Sequence, residues 1–176
     1  VAVDPSRTFK PINIAVLTVS DTRTAADDTS GDILVERVQS SGHRLAARAI
    51  VRDDPGLIVS KLNDWIDDPA IDAVVSTGGT GLTGRDVTPE ALGRIDGARE
   101  IPGFGELFRW ISFQTIGTST IQSRACAVVA RGTYIFALPG SNGAVKDGWD
   151  GILAEQLDSR NRPCNFVELM PRLKEV

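Results

Sequence analysis

Residues 13 to 20, Asn-Ile-Ala-Val-Leu-Thr-Val-Ser, form an unbroken β-branched and apolar run that ends in a polar loop. A strand with one wet face alternates polar and apolar residues. A run without alternation belongs to a strand covered on both faces, which suggests a parallel sheet between helices. The following segments fit that frame. Residues 32 to 40 carry Ile33, Leu34 and Val38 among charges, and Gly42 supplies a stop, which predicts a helix. A second strand is expected at about 45 to 52. Residues 57 to 67 place Ile58, Leu62, Trp65 and Ile66 at i, i+4, i+7 and i+8, one apolar helical face. A third strand covers 71 to 77. The β-α-β-α-β order with short connections predicts a right-handed α/β domain whose ligands gather at the carboxyl ends of the strands.

Farther on, Thr88 is placed to N-cap a helix with Pro89 at its first position. A helix over 103 to 114 sets Phe104, Leu107, Phe108 and Ile111 on one stripe, with Trp110 and Phe113 near the opposite side. Two aromatics off the core stripe fit either a subunit contact or a cover by a loop of the same chain. Strands at 125 to 130 and 134 to 138 flank Arg131-Gly132-Thr133, which serves equally as a hairpin turn or a bend across the sheet. A last helix spans about 142 to 157, with Val145, Trp149, Ile152, Leu153 and Leu157 in period.

Composition narrows the chemistry. Nineteen basic against twenty-three acidic residues give a net charge of −4 over 176 residues, so the footprint of a nucleic-acid binder is missing and any anion must be gripped locally. No apolar run approaches the ~20 residues of a membrane span, and Val1 to Pro11 lack a signal peptide's apolar core, so a cytoplasmic protein is expected. Two cysteines, Cys126 and Cys164, are too few for a disulfide scaffold and wrongly spaced for zinc. The one histidine, His43, stands beside a glycine in an expected turn, which argues against a histidine metal cluster or a Ser-His-Asp triad. Carboxylates, hydroxyls, backbone amides and arginines remain.

Those groups concentrate in Ser76-Thr77-Gly78-Gly79-Thr80-Gly81-Leu82-Thr83-Gly84-Arg85-Asp86, directly after the third strand. Glycines there bring backbone amides to the sheet edge with no side chains in front, a loop able to cradle phosphate oxygens. Gly79, Gly81 and Gly84 satisfy G-x-G-x-x-G in form only, because the helix opens near Pro89 and not within the glycines after the first strand. A Walker loop is excluded, since Arg85-Asp86 stand where Lys-Ser/Thr is required. Asp86 beside such a cradle repels an anion unless a divalent cation lies between them, and Mg²⁺ is normally held by one or two carboxylates plus substrate phosphates. Asp53 and Asp54 after the second strand can reach the same edge, or be plain solvated acids. Asp21 after the first strand either forms a turn or positions a ligand. Leu138-Pro139-Gly140-Ser141 repeats the pattern of strand, glycine turn and helix start, a second anion site. Ser119, Thr120, Ser123 and Arg124 make a hydroxyl-rich loop in which Arg124 either grips an anion or faces water.

Thr77-Gly78-Gly79-Thr80-Gly81 and Arg85-Asp86-Val87-Thr88-Pro89-Glu90-Ala91 resemble the MoaB/MogA family of molybdenum-cofactor biosynthesis proteins, relatives of the G domain of gephyrin. The likeness extends to Val19-Ser20-Asp21, Pro102-Gly103-Phe104-Gly105-Glu106, Ser123-Arg124-Ala125 and Leu138-Pro139-Gly140-Ser141, over roughly residues 12 to 170; segments 108 to 122 and 157 to 166 look more like the MoaB branch. The resemblance implies a single domain over residues 1–176, a core of about 12–158 with a C-terminal tail at 159–176, and a three-layer α/β/α sandwich with a mostly parallel sheet. It also implies a homo-oligomer, trimer or hexamer, with Trp110 and Phe113 as the interface guess. The implied activity is Mg²⁺-dependent adenylyl transfer from ATP to molybdopterin, releasing pyrophosphate; the alternative is a non-catalytic molybdopterin-binding protein. By motif, Asp86 and Asp53 carry over as catalytic, Mg²⁺-linked acids. Asp21, Thr77, Gly78, Gly79, Thr80, Gly81, Ser123, Arg124, Pro139, Gly140 and Ser141 carry over to the nucleotide and pterin pocket. One departure stands out: Asn142-Gly143 occupy the place where related enzymes often show Pro-Lys.

Overall fold

From Ile14 to Val19 no residue of β1 (Asn13–Val19) is exposed, and successive side chains enter opposite cores, Ile14 and Val16 one of them, Ala15, Leu17 and Val19 the other. This is why the run carries no polar alternation. The computed structural model describes residues 3–175. Around β1 lie β2 (Arg44–Val51), β3 (Ala73–Thr77), β4 (Arg99–Glu100), β5 (Cys126–Ala130) and β6 (Thr133–Leu138), in the order β2-β1-β3-β6-β5-β4. The β2, β1, β3 and β6 strands are mutually parallel, and β5 runs antiparallel to both its neighbours. The β5–β6 connection is a two-residue hairpin with positive φ at Arg131 (50°) and Gly132 (94°), the twist that joins antiparallel strands most tightly. Arg131 tolerates the left-handed backbone while its guanidinium bridges Asp96 O, Asn63 and Asp67.

Helices cover both faces. On one side lie α1 (Thr29–Ser40), α4 (Pro102–Ile116), and α5 (Asn142–Gly148), which widens through a π turn at Trp149–Leu153 into α6 (Ala154–Gln156). The other side holds α2 (Pro55–Ile66) and α3 (Thr88–Leu92). The fold is therefore the expected three-layer α/β/α sandwich. Residues after 158 join it: α7 (Phe166–Leu169) sends Phe166 and Val167 into the first core, where Phe166 packs 4.8 Å from the ring of Tyr134. Among the described residues no helix is long and apolar enough to cross a membrane.

Several local expectations are corrected. The first helix opens at Thr29 rather than 32, because Asp28 caps it by accepting from Gly31 N at 3.0 Å, five residues ahead of the first apolar position, Ile33. Thr88 does not cap α3; Val87 does, without a side-chain bond, and Thr88 Oγ1 donates instead to Gly78 O at 2.9 Å. Leu107 leaves the core stripe of α4, being 41% exposed, so the buried face runs through Phe104, Phe108 and Ser112. The last long helix is interrupted by its π turn. His43 is not in the turn, which is Ser41-Gly42, but follows it and is buried just before β2, its Nδ1 accepting from Ile12 N at 3.3 Å; burial depresses its pKa.

Candidate functional site

The parallel register sets Thr18 beside Thr77 and Thr77 beside Leu138, so the loops after β1, β3 and β6 leave the sheet side by side. Thr77 is fully buried and its Oγ1 donates to Pro139 O at 3.1 Å, tying the glycine loop to the Pro139-Gly140-Ser141 turn. Gly78 (φ 102°) and Gly79 (φ 66°) need their lack of a side chain: a Cβ would stand 2.2 Å from Val19 O at the first and 2.4 Å from Thr88 Oγ1 at the second. Thr88, the supposed cap, is thus a clamp on this loop, its N–H donating to Gly79 O as well.

Between the two loops, α4, the 3-10 turn Gly117–Gln122 and α5 lies a cavity of about 540 Å³. Gly78, Gly79, Thr80, Gly81, Asp86, Ser123, Pro139, Gly140 and Ser141 all line it. Among the described residues the N–H groups of Gly79 and Thr80 find no acceptor, and Thr80 Oγ1, on a residue 2% exposed, is buried without a hydrogen-bond partner. Buried polar groups are almost always paired, so the buried Thr80 Oγ1, beside two loop amides without an acceptor, points to a ligand that completes it. Across the cavity, Ser141 caps α5 by accepting from Ala144 N at 3.2 Å, presenting the positive end of that helix.

Asp86 also faces the cavity. Burial pushes its pKa up, but the Thr83 hydroxyl, the amides of Gly81 and Thr83, and the charge of Arg124 outweigh it, so the carboxyl stays below its usual range. Asp53 lies outside the lining, behind the loop, its Oδ1 3.3 Å from where a Cβ on Gly79 would stand. Its pKa is raised, first by burial and then by the charge of Asp86. Asp54 is the cap of α2, accepting from Leu57 N at 2.9 Å. Among the described residues no group of three or more acidic, histidine or cysteine side chains is assembled for a metal. The pair Asp53 and Asp86, one on each side of the glycines, matches the lesser demand of Mg²⁺ for one or two carboxylates plus substrate phosphates.

Two predicted residues do other work. Arg124 reaches Gly81 O at 2.7 Å and Asp86 O at 2.6 Å and pairs with Glu90, while its backbone N–H donates to Thr80 O at 2.8 Å, so it braces the loop from outside the cavity. Asp21 pairs with Arg85 and accepts from Asp53 N at 3.3 Å. Sequence reading missed Arg23, whose Nη2 donates to Gly140 O at 3.3 Å, and Asp147, which lines the cavity from α5. The 3- and 4-residue spacing of Gly143, Ala144 and Asp147 was the available signal for the latter. A larger hollow of about 670 Å³ lies along β5 between α3 and α4, sharing only Ser123 and Arg124 with the predicted set. It contains none of the glycine loop, so the smaller cavity is the candidate site.

A family profile described as "Probable molybdopterin binding domain" matches residues 15–159. The chain belongs to the molybdopterin-binding domain family. Within that family it is 49% identical over 170 residues to the molybdenum cofactor biosynthesis protein B of Escherichia coli K12, covering 97% of this chain and 98% of the relative. The Bacillus subtilis protein of the same name is 40% identical over 147 residues, 83% of this chain and 86% of that one. Among solved structures, a molybdenum cofactor biosynthesis protein B superposes with a TM-score of 0.85 at 34% identity, covering 97% of this chain and all of the other. The tungsten cofactor synthesizing protein MoaB from Pyrococcus furiosus gives 0.75 at 32%, covering 94% and 99%. The whole glycine loop, the Pro139 turn and the cavity fall inside the matched span.

Proposed function

We propose that this member of the family works in molybdenum-cofactor biosynthesis as an adenylyltransferase, joining the adenylyl group of ATP to the terminal phosphate of molybdopterin and releasing pyrophosphate. The observation that carries this reading is the cluster of unpaired donors, Gly79 N–H, Thr80 N–H and Thr80 Oγ1, on a cavity wall that also bears an aspartate. Such a wall suits a polyanion. In the reaction a phosphate oxygen of molybdopterin attacks the α-phosphorus of ATP, so the protein's task is to position two anions in line. The glycine-loop donors hold phosphate oxygens from one side, and the start of α5 with Ser141 holds them from the other. Thr83, Gly81 and Arg124 keep Asp86 ionised and fixed. Bound Mg²⁺, held by Asp86 and Asp53 together with substrate phosphates, would supply charge neutralisation.

The test is pyrophosphate release from purified protein given molybdopterin, ATP and Mg²⁺. Release above a no-enzyme control is expected, and Asp86→Asn should lower it at least a hundredfold with the fold retained. No release from the wild type refutes the transferase and leaves a protein that binds molybdopterin without turnover. We further propose that the chain assembles into a homo-oligomer, trimer or hexamer. Trp110 (64% exposed), Phe113 (50%) and Leu107 (41%) crowd one outward side of α4, more apolar surface than a single helix usually leaves to water.

A further inference from the structure

Six residues after Ser141, about 9 Å along the helix at ~1.5 Å per residue, Asp147 still lines the cavity. Gly143 and Ala144 lie between them on the same face, and a Cβ on Gly143 would meet nothing within 4 Å. The α4 side of the cavity carries Phe108 and Ile116 together with the hydroxyls of Ser112 and Thr115. Beside the small residues of α5 this leaves a slot, within a cavity of about 540 Å³, with room for a ring. The unpaired donors of the glycine loop and the Asp147 carboxylate both line this cavity.

Asp147 is both free and rigidly mounted. Burial and the neighbouring Asp150 raise its pKa, and no hydrogen bond among the described residues offsets them. Asp150 itself is taken by Arg37 at 2.8 Å. The next residue, Gly148, lies so close to β6 that a Cβ would stand 2.4 Å from Leu138 Cδ2. Trp149 follows, buried, with its Nε1 donating to Ser41 Oγ at 3.3 Å. The π turn begins there, and such turns collect at functional positions.

A carboxylate offers two acceptors and no donor, so it pairs best with two adjacent N–H donors. A 2-amino-4-oxo pyrimidine edge has that pair in its N3–H and 2-amino groups. Adenine does not, because ring nitrogens that accept flank its amino group. We propose that Asp147 reads the pterin of the substrate, accepting the N3–H and 2-amino hydrogens while the phosphate lies at the glycine loop. The base of ATP is then excluded from the slot and lies outside it. This rests on the reading that the cavity takes a phosphorylated pterin, and it adds which edge is recognised and by which residue.

The test uses the full chain titrated with 6-hydroxymethylpterin monophosphate and with the matching lumazine phosphate, in which oxygen replaces the 2-amino group. Wild type should bind the pterin roughly tenfold to hundredfold tighter than the lumazine, the range for hydrogen bonds to a charged group. Asp147→Asn should weaken the pterin by that factor and leave the lumazine within about twofold. Equal affinity of wild type for the two probes, no binding of either, or an equal loss of both in the variant overturns the proposal. The wild-type arm stands even where the variant misfolds. GMP carries the same edge from a different source and should bind at least ten times more weakly; equal binding would transfer the site to a guanine nucleotide and overturn the pterin assignment. Catalysis is not read in these titrations. A strong pterin preference without pyrophosphate release therefore removes only the transferase, and turnover without pterin preference removes only the role of Asp147.

Discussion

Asp28 is fully buried, yet it is charged, and removing that charge should cost more stability than any surface acid. Its carboxylate accepts from Thr18 Oγ1 at 2.7 Å on β1, from Arg48 Nη2 at 3.0 Å on β2 and from Gly31 N at 3.0 Å in α1. Arg23 stands 3.7 Å away and passes the contact to Gly140 O in the cavity wall. Asp28→Asn keeps the size and leaves one oxygen to cap the helix, but it turns an N–H₂ group toward a guanidinium. Breaking a buried pair from one side costs about 3–5 kcal/mol. Arg48 retains Asp32 at 2.7 Å and is partly exposed, which sets the expectation at the low end, about 3 kcal/mol. In urea that is a midpoint lower by about 1.5 M for a slope near 2 kcal/mol/M, with the slope unchanged. The pH dependence follows from the sign of the shift. Burial opposes ionisation here, but the Thr18, Arg48 and Gly31 bonds win and hold the folded pKa below the ordinary value. Stability from this group is therefore present above the unfolded pKa of about 3.9 and lost as pH falls through the folded one. The gap between wild type and variant should narrow below about pH 4. A midpoint change under about 0.5 M, or a gap that stays constant from about pH 7 to pH 3, refutes the assignment of Asp28 as the anchor.

Gly78→Ala forces a Cβ to 2.2 Å from Val19 O at φ 102° and should lose at least ~3 kcal/mol in urea unfolding, whereas Gly84→Ala, with open space around it, should stay within ~0.5 kcal/mol. Cys164 is exposed, while burial lifts the Cys126 thiol to about 11; a disulfide reagent at mildly alkaline pH should modify one thiol per folded chain quickly and the second only on unfolding. Trp110→Glu should shift light-scattering mass toward the monomer at micromolar concentration; an unchanged mass would remove the α4 surface from the proposed interface.

The strands and the glycine loop were legible because each depends on local composition. Ile14 to Val19 is apolar throughout since both faces are covered, and Gly78 and Gly79 are glycine since Val19 O and Thr88 Oγ1 leave no room for a Cβ. What was illegible depends on partners far away in sequence. Arg124 reads as a free cation until the fold brings Glu90 and two loop carbonyls to it. Thr88 has every feature of a cap, but the helix already starts at it with Val87 as the capping residue, and its hydroxyl donates to the Gly78 carbonyl. Leu107 obeys helical period and is still exposed, because α4 packs through a narrower stripe than its apolar residues suggest. Arg131 at positive φ follows no residue preference and is held by a network reaching α2.

The same distant pairing explains how a chain of net charge −4 can host a polyanion. Arg23, Arg85 and Arg124 surround the site, and each is engaged by protein acceptors: Gly140 O, Asp21, and Glu90 with the loop carbonyls. None is left as a mobile countercharge. Arginines so tied give shape to the walls and add little long-range attraction, because the acids paired with them cancel their field beyond a Debye length of ~8–10 Å. Selectivity then falls to groups that act only at contact: amides without acceptors, a hydroxyl without a partner, a helix start. A loosely held anion gains nothing from these donors until it sheds water and aligns with them, so simple phosphate or sulfate should compete poorly with a ligand that also fills the slot beside α5. On the proposed reading, the absence of a lysine at Gly143 is consistent with this arrangement. A cation there would attract any polyanion to the mouth, while a bare helix face admits one whose attached ring is flat.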